Sequence, residues 1–293
     1  MSRILVMSDL HIEFERGGAG PSHPSAAWFA LRDKRRQHPG HPAVGPWLGD
    51  VRSAIDLVVL AGDIGVGLEG VDYAAQVRRY LDAPVVYVAG NHEFYNSHEM
   101  GKLRTAMADK AAEEGVMFLD NGRSDFSFGG QRVAVLGTTL WTDYELDGNS
   151  PTDLAWAMRS ASEGLNDHVR ISLGGELFDP TDAKRLHEQA MRWLTSEMQS
   201  IRADQQADRI VVVSHHAPVR EANPVDCRSG GVSAAYASDL GPWIDAYAPD
   251  AWIWGHTHEP FDGRRGVTRL VSAPRGYVVE PGADKYSPAV VRL

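Results

Sequence analysis

Ile4-Leu5-Val6-Met7-Ser8-Asp9-Leu10-His11 reads as a buried strand that ends by presenting a carboxylate and an imidazole. Side chains alternate along an extended backbone, so Asp9 and His11, two residues apart, face the same way and can reach one cation together. An Asp-x-His pair alone is common by chance. Its weight comes from the residues at the ends of the other apolar runs.

Four more such runs end in the same way. Residues 55–61 lead into Gly62-Asp63, and 85–89 into Gly90-Asn91-His92-Glu93. Residues 209–213 lead into Ser214-His215-His216, and 251–254 into Gly255-His256-Thr257-His258. Between these strands the spacing predicts helices over 69–81, over 98–114 with Gly115 as a C-cap, over 152–163 and over 239–247. A longer helix is predicted from near Asp182, where Ala183, Leu186, Ala190, Leu194, Met198 and Ile201 keep a 3.6-residue period. Residues 125–128 and 131–136 read as a hairpin turned at Gly129-Gly130, and 267–272 and 289–293 as closing strands. Strands alternating with helices give an α/β fold, in which ligands collect at the carboxyl ends of the strands.

The chain has 293 residues, 43% of them hydrophobic, enough for one large core, and no linker divides it. We therefore expect a single domain over 1–293. Twenty-nine Lys and Arg against 39 Asp and Glu leave a net charge of -10, which argues against broad nucleic-acid binding. The single cysteine, Cys227, excludes an intramolecular disulfide framework. No run reaches the length of a membrane span, so a soluble, cytoplasmic protein is expected. Residues 13–50, rich in Gly, Pro and His, form an insertion that reads either as a lid or as an ornament packed on the surface, with Trp28, Phe29 and Leu31 able to dock on the body. His23, His38 and His41 within it read as loop residues.

Asp, Asn and His suit borderline divalent transition metals, and no thiolate is present among them to select a soft ion. A carboxylate can bridge two cations, and two cations about 3.5–4 Å apart suit in-line attack on phosphorus.

The ordered set Asp9-x-His11, Gly62-Asp63, Gly90-Asn91-His92-Glu93, Ser214-His215 and Gly255-His256-Thr257-His258 resembles the signature of the calcineurin-like metallophosphoesterases. The resemblance runs from the first strand nearly to the last. It implies a four-layer α-β-β-α sandwich of two mixed sheets. It also implies two divalent ions (Mn, Fe or Zn), with Asp9, His11 and His258 on the first, Asn91, His215 and His256 on the second, and Asp63 bridging. His92 would contact the substrate phosphate and protonate the leaving oxygen. The implied activity is hydrolysis of phosphoric esters by a hydroxide held by the metal pair; the compact, acidic chain favours a small phosphodiester over phosphomonoesters or phosphoprotein, which use the same site. A non-catalytic scaffold of the same fold is the reading from another class.

Other residues carry weaker expectations. His216 would point away from His215, and Glu93 would hydrogen-bond within its loop. Arg275 is a candidate for phosphate binding, with a surface or salt-bridge role as the competing reading. Tyr95 and Asn96 are candidates to line the pocket, with a core role for Tyr95 as the competing reading. Trp252 and Trp254 read as core, and His168 and His187 as solvent-facing.

Overall fold

The computed structural model describes residues 2–17, 55–96, 99–224, 230–277, 279–283 and 286–293. The insertion, with Trp28, Phe29, Leu31 and its histidines, lies outside the described residues except for its first few, which form a 3-10 turn at Ile12–Gly17. Cys227 lies outside them too.

In chain order the strands are β1 (Arg3–Met7), β2 (Leu57–Ala61), β3 (Val85–Val88), β4 (Met117–Phe118), β5 (Gly122–Phe128), β6 (Gln131–Thr138) and β7 (Ser172–Leu173). They continue with β8 (Glu176–Leu177), β9 (Arg209–Ser214), β10 (Ala251–Trp254), β11 (Phe261–Arg265), β12 (Thr268–Ser272) and β13 (Ala289–Arg292). The helices are α1 (Glu69–Leu81), α2 (Met100–Glu114), α3 (Pro151–Gly164), α4 (Asp167–Arg170), α5 (Pro180–Ala203) and α6 (Gly241–Tyr247).

Two mixed sheets result, flanked by helices. One runs β13-β1-β2-β3-β4 and the other β11-β12-β10-β9-β6-β5. Within each, the central strands are parallel and the antiparallel pairs lie at the edges: β13 on β1, β11 on β12, and β5 on β6. The apolar runs hide a period of two. Ile4, Val6, Leu57, Val59, Val211, Val213 and Ile253 fill the space between the sheets. Leu5, Met7, Val58, Leu60, Val212, Trp252 and Trp254 face outward beneath the helices. β-branched residues dominate the inner layer because they suit a pleated surface packed against another. Burying each such side chain contributes about 1.5–3 kcal/mol, so this layer holds the strand ends in place.

Helix α5 begins at a capping box, Asp179 with Asp182, and has Pro180 in its first turn. Its buried stripe includes every residue the spacing picked out. Gly115 closes α2 with φ 67°, as a C-cap requires. Three expectations need correction. Strand β11 was not expected, because Phe261-Asp-Gly-Arg-Arg is polar and half exposed. The small β7–β8 hairpin was also missed. His168 and His187 are buried, not solvent-facing: His168 Nδ1 lies 3.0 Å from the Phe178 carbonyl, and His187 Nδ1 lies 3.3 Å from that of Trp141. Among the described residues no helix is long and apolar enough to cross a membrane.

Candidate metal centre

Parallel register sets the strand ends level: Met7 pairs with Leu60, Ala61 with Val88, and Val213 with Ile253. The residues just beyond those ends converge. Asp9 and His11 do meet, but not by strand alternation. β1 stops at Met7, and both residues then adopt left-handed backbone, φ 52° and 46°. Asp63, His256 and His258 do the same, at φ 53°, 70° and 52°. Each turn carries a candidate ligand side chain at the sheet edge. Space is tight there. A Cβ at Gly90 would lie 2.7 Å from the Asp63 nitrogen and 2.7 Å from His215 Cε1, so only glycine fits.

The side chains form two groups of acceptors facing one another. His11 Nδ1 lies 3.1 Å from Glu13 Oε1, and His258 Nδ1 lies 2.9 Å from Glu280 Oε2. Each Nδ1 therefore donates its proton outward, and the two Nε2 lone pairs confront each other at 3.0 Å, beside Asp9. In the second group, His215 Nδ1 donates to the Ala61 carbonyl at 2.9 Å. Its Nε2 then faces Asn91 Oδ1 at 3.1 Å and His256 Nδ1 at 3.2 Å. Asn91 is turned that way because its amide nitrogen donates to Asp167 at 2.8 Å. In the first group, lone pairs held this close repel unless a cation sits between them, and in the second the converging ring nitrogens and amide oxygen are of the kinds that hold divalent metal, so both groups fit it.

Asp63 lies between the groups and offers one oxygen to each. Oδ1 is 3.4 Å from His215 Nε2, and Oδ2 is 3.7 Å from His11 Nε2. Burial opposes its ionisation, but His215 and His92 hold its pKa well below the usual carboxylate value. The same field acts on the imidazoles. Burial resists a charged His215, yet Asp63 pushes its pKa up to about 10. For His256 burial wins, and its pKa is driven well below the ordinary value. The Asp63 charge that draws a proton onto buried His215 will draw a cation in the same way.

His92 is not among these converging acceptors. Its Nδ1 lies 3.0 Å from Glu13 Oε1, and its Nε2 lies 3.1 Å from the Tyr277 hydroxyl. Burial lowers its pKa, but Asp63 and Glu13 outweigh that and leave it raised. Glu93 turns inward and clamps two strand-end loops. It accepts from the backbone N–H of Asp63, Ile64 and Gly90 and from the Tyr87 hydroxyl. The His215 and His216 rings are nearly perpendicular, at 88°, and His216 packs between Trp141 and His256, whose ring centroids lie 5.0 and 4.1 Å from its own. Arg275 donates to the Leu10 carbonyl at 3.1 Å and is not among the described residues lining the cavity above the site. Glu13, Asp167, Tyr277 and Glu280, which orient the ring nitrogens and the Asn91 amide, were not singled out from the sequence.

That cavity, of about 590 Å³, is lined by Asp63, Asn91, His92, His256 and His258 together with Asp167, Tyr236 and Glu280. A second lobe of about 560 Å³ adjoins it, lined by Phe14, Arg170 and Val279. The lobes share His92, Tyr95, Asn166 and Tyr277.

Two mixed sheets between helices, with paired Asp/Asn/His groups where the strands end, define a metal-dependent hydrolase of phosphoric esters. The chain belongs to the calcineurin-like phosphoesterase family, whose sequence model matches residues 2–260. No curated protein matches it in sequence. Among solved structures it is similar to the phosphopantetheinyl hydrolase of Mycobacterium tuberculosis, at 18% identity and a TM-score of 0.63, over 94% of this chain and 90% of that one. It is also similar to a dimetal phosphatase from Danio rerio, at 18% identity and a TM-score of 0.51, over 99% of this chain and 91% of that one. At these identities the likeness is one of fold.

Proposed function

We propose that the protein hydrolyses small phosphodiesters at a pair of divalent transition-metal ions (Mn, Fe or Zn). Asp9, His11 and His258 would hold one ion, and Asn91, His215 and His256 the other. Asp63 would be shared, one oxygen to each group. Bound there, such ions acidify a water to a nucleophile and neutralise charge on the phosphoryl oxygens. The protein's own part is positional. The Ala61 carbonyl, Glu280 and Asp167 keep the donor atoms turned inward before any cation arrives. His92 Nε2 faces the cavity and gives a proton to the departing alcohol oxygen, and the Tyr277 hydroxyl marks where that oxygen would sit.

The diester reading is carried by one observation: the two lobes meet at His92. A phosphorus at the metal groups would then have room for an alcohol arm on each side. Charge supports it. Among the described residues lining the first lobe there is no Lys or Arg, while Asp167 and Glu280 are present. A singly charged diester suits that lobe better than a doubly charged monoester.

The test is hydrolysis of a bis-aryl phosphodiester beside the matching aryl monoester. Metal-stripped protein would be re-supplied separately with Mn, Zn, Fe and Mg while bound metal is counted. Activity returning near two metals per chain, faster on the diester, is expected. Preference for the monoester would overturn the diester reading. Tight metal with no turnover on either would favour a scaffold of the same fold.

A further inference from the structure

Glu13 stands between two histidines with different roles. It lies in the 3-10 turn directly after His11. Its Oε1 is 3.1 Å from His11 Nδ1 and 3.0 Å from His92 Nδ1. The two rings meet edge to face, with centroids 4.4 Å apart. A carboxylate oxygen only accepts, so both Nδ1 atoms carry protons and both rings turn their Nε2 atoms away from Glu13. His11 Nε2 then faces His258 and Asp63, while His92 Nε2 faces Tyr277 and the cavity. The Glu13 side chain is only 13% exposed, so water competes little for these bonds.

We propose that Glu13 is a shared positioning residue, one carboxylate oxygen that sets at once the metal-facing nitrogen of His11 and the proton-donating nitrogen of His92. The inference rests on the roles proposed for His11 and His92, and adds that they are not set independently. Displacing Glu13 would loosen metal binding and leaving-group protonation together, although it is not one of the residues proposed to hold metal.

Two variants test this, each made alone and with His92→Ala. Glu13→Ala removes the acceptor, whereas Glu13→Gln keeps an amide oxygen there without the charge. Nitrogen NMR on the metal-free protein reads the tautomers. Wild type and Glu13→Gln should hold the proton on Nδ1 of both rings, and Glu13→Ala should release it. Titration of stripped Glu13→Ala with Mn should show affinity about 10–100-fold weaker. At saturating metal its turnover should fall about 10–100-fold, more for alkyl than for nitrophenyl leaving groups, with no further fall where His92 is already Ala. Unchanged tautomers, equal losses across leaving groups, or an undiminished loss in the His92→Ala background would each overturn the proposal. If Glu13→Ala does not fold, the tautomers of Glu13→Gln decide: both kept supports the proposal, and either lost overturns it. A wild type that binds no metal would overturn the proposed function. One that binds two ions and turns over, with tautomers indifferent to Glu13, would overturn only this inference.

Discussion

Glu93 and Asp63 hold each other's loops. Glu93 Oε2 accepts the backbone N–H of Asp63 at 3.0 Å, and Asp63 Oδ1 accepts the backbone N–H of His92, next to Glu93, at 2.9 Å. Two strand ends are thereby tied by reciprocal carboxylates, and the tie is wholly buried.

Glu93→Gln should therefore cost far more than a one-atom change suggests. Its amide nitrogen cannot accept, so at least two buried N–H donors lose their partner. The expected loss is about 2–4 kcal/mol of stability, read as a lower urea midpoint, with weaker metal binding. A midpoint within error of wild type would show that the clamp is dispensable.

Asp63→Asn and His92→Ala should separate binding from turnover. The first removes the charge shared by the two acceptor groups and should lose metal and activity together. The second should keep both metals yet lose about 10²–10⁴-fold in turnover, most with poor leaving groups. Metal counted on the purified variants checks both; loss of metal from His92→Ala would remove its assignment as the acid.

Asp167→Ala should act through Asn91. With the Tyr95 hydroxyl at 3.2 Å left to accept from it in place of the Asp167 carboxylate, the Asn91 amide can rotate and present nitrogen, not oxygen, to His215 and His256. Calorimetric titration with Mn should show an affinity about 10–100-fold weaker in a chain that still folds.

His187 gives a pH signature away from the site. Burial holds its pKa below the ordinary 6.5, against the opposing pull of Asp143 at 3.9 Å. A depressed folded pKa means that the unfolded chain takes up the proton more readily. The contribution of this group is thus fully present above about pH 6.5 and is lost as pH falls through the lower folded value. The urea midpoint of wild type should decline as pH falls below about 6.5, and that of His187→Gln should decline less.

The converging residues were legible because each follows a short apolar run directly, and Gly62, Gly90 and Gly255 punctuate those runs. Asp9 and His11 converge for a different reason than their spacing suggested, since left-handed turns bring them together where strand alternation was expected. Residues that orient the site were hidden by distance along the chain. Glu13 reaches His92 across 79 residues, Asp167 reaches Asn91 across 76, and Glu280 reaches His258 across 22. Nothing local marks such partners, although Glu13 repeats the i, i+2 step from Asp9 and His11. His168 and His187 misled for a related reason: their partners are main-chain carbonyls, which leave no trace in sequence.

The left-handed backbone at Asp9, His11, Asp63, His256 and His258 has an evolutionary consequence. A side chain in that conformation is disfavoured by about 1–2 kcal/mol relative to glycine, somewhat less for Asp. A lineage released from its chemistry would relieve that strain by drifting to glycine at His256 or His258, whose side chains, unlike those of Asp9 and Asp63, accept no backbone N–H. This chain bears a side chain at both, the mark expected of a site still in use.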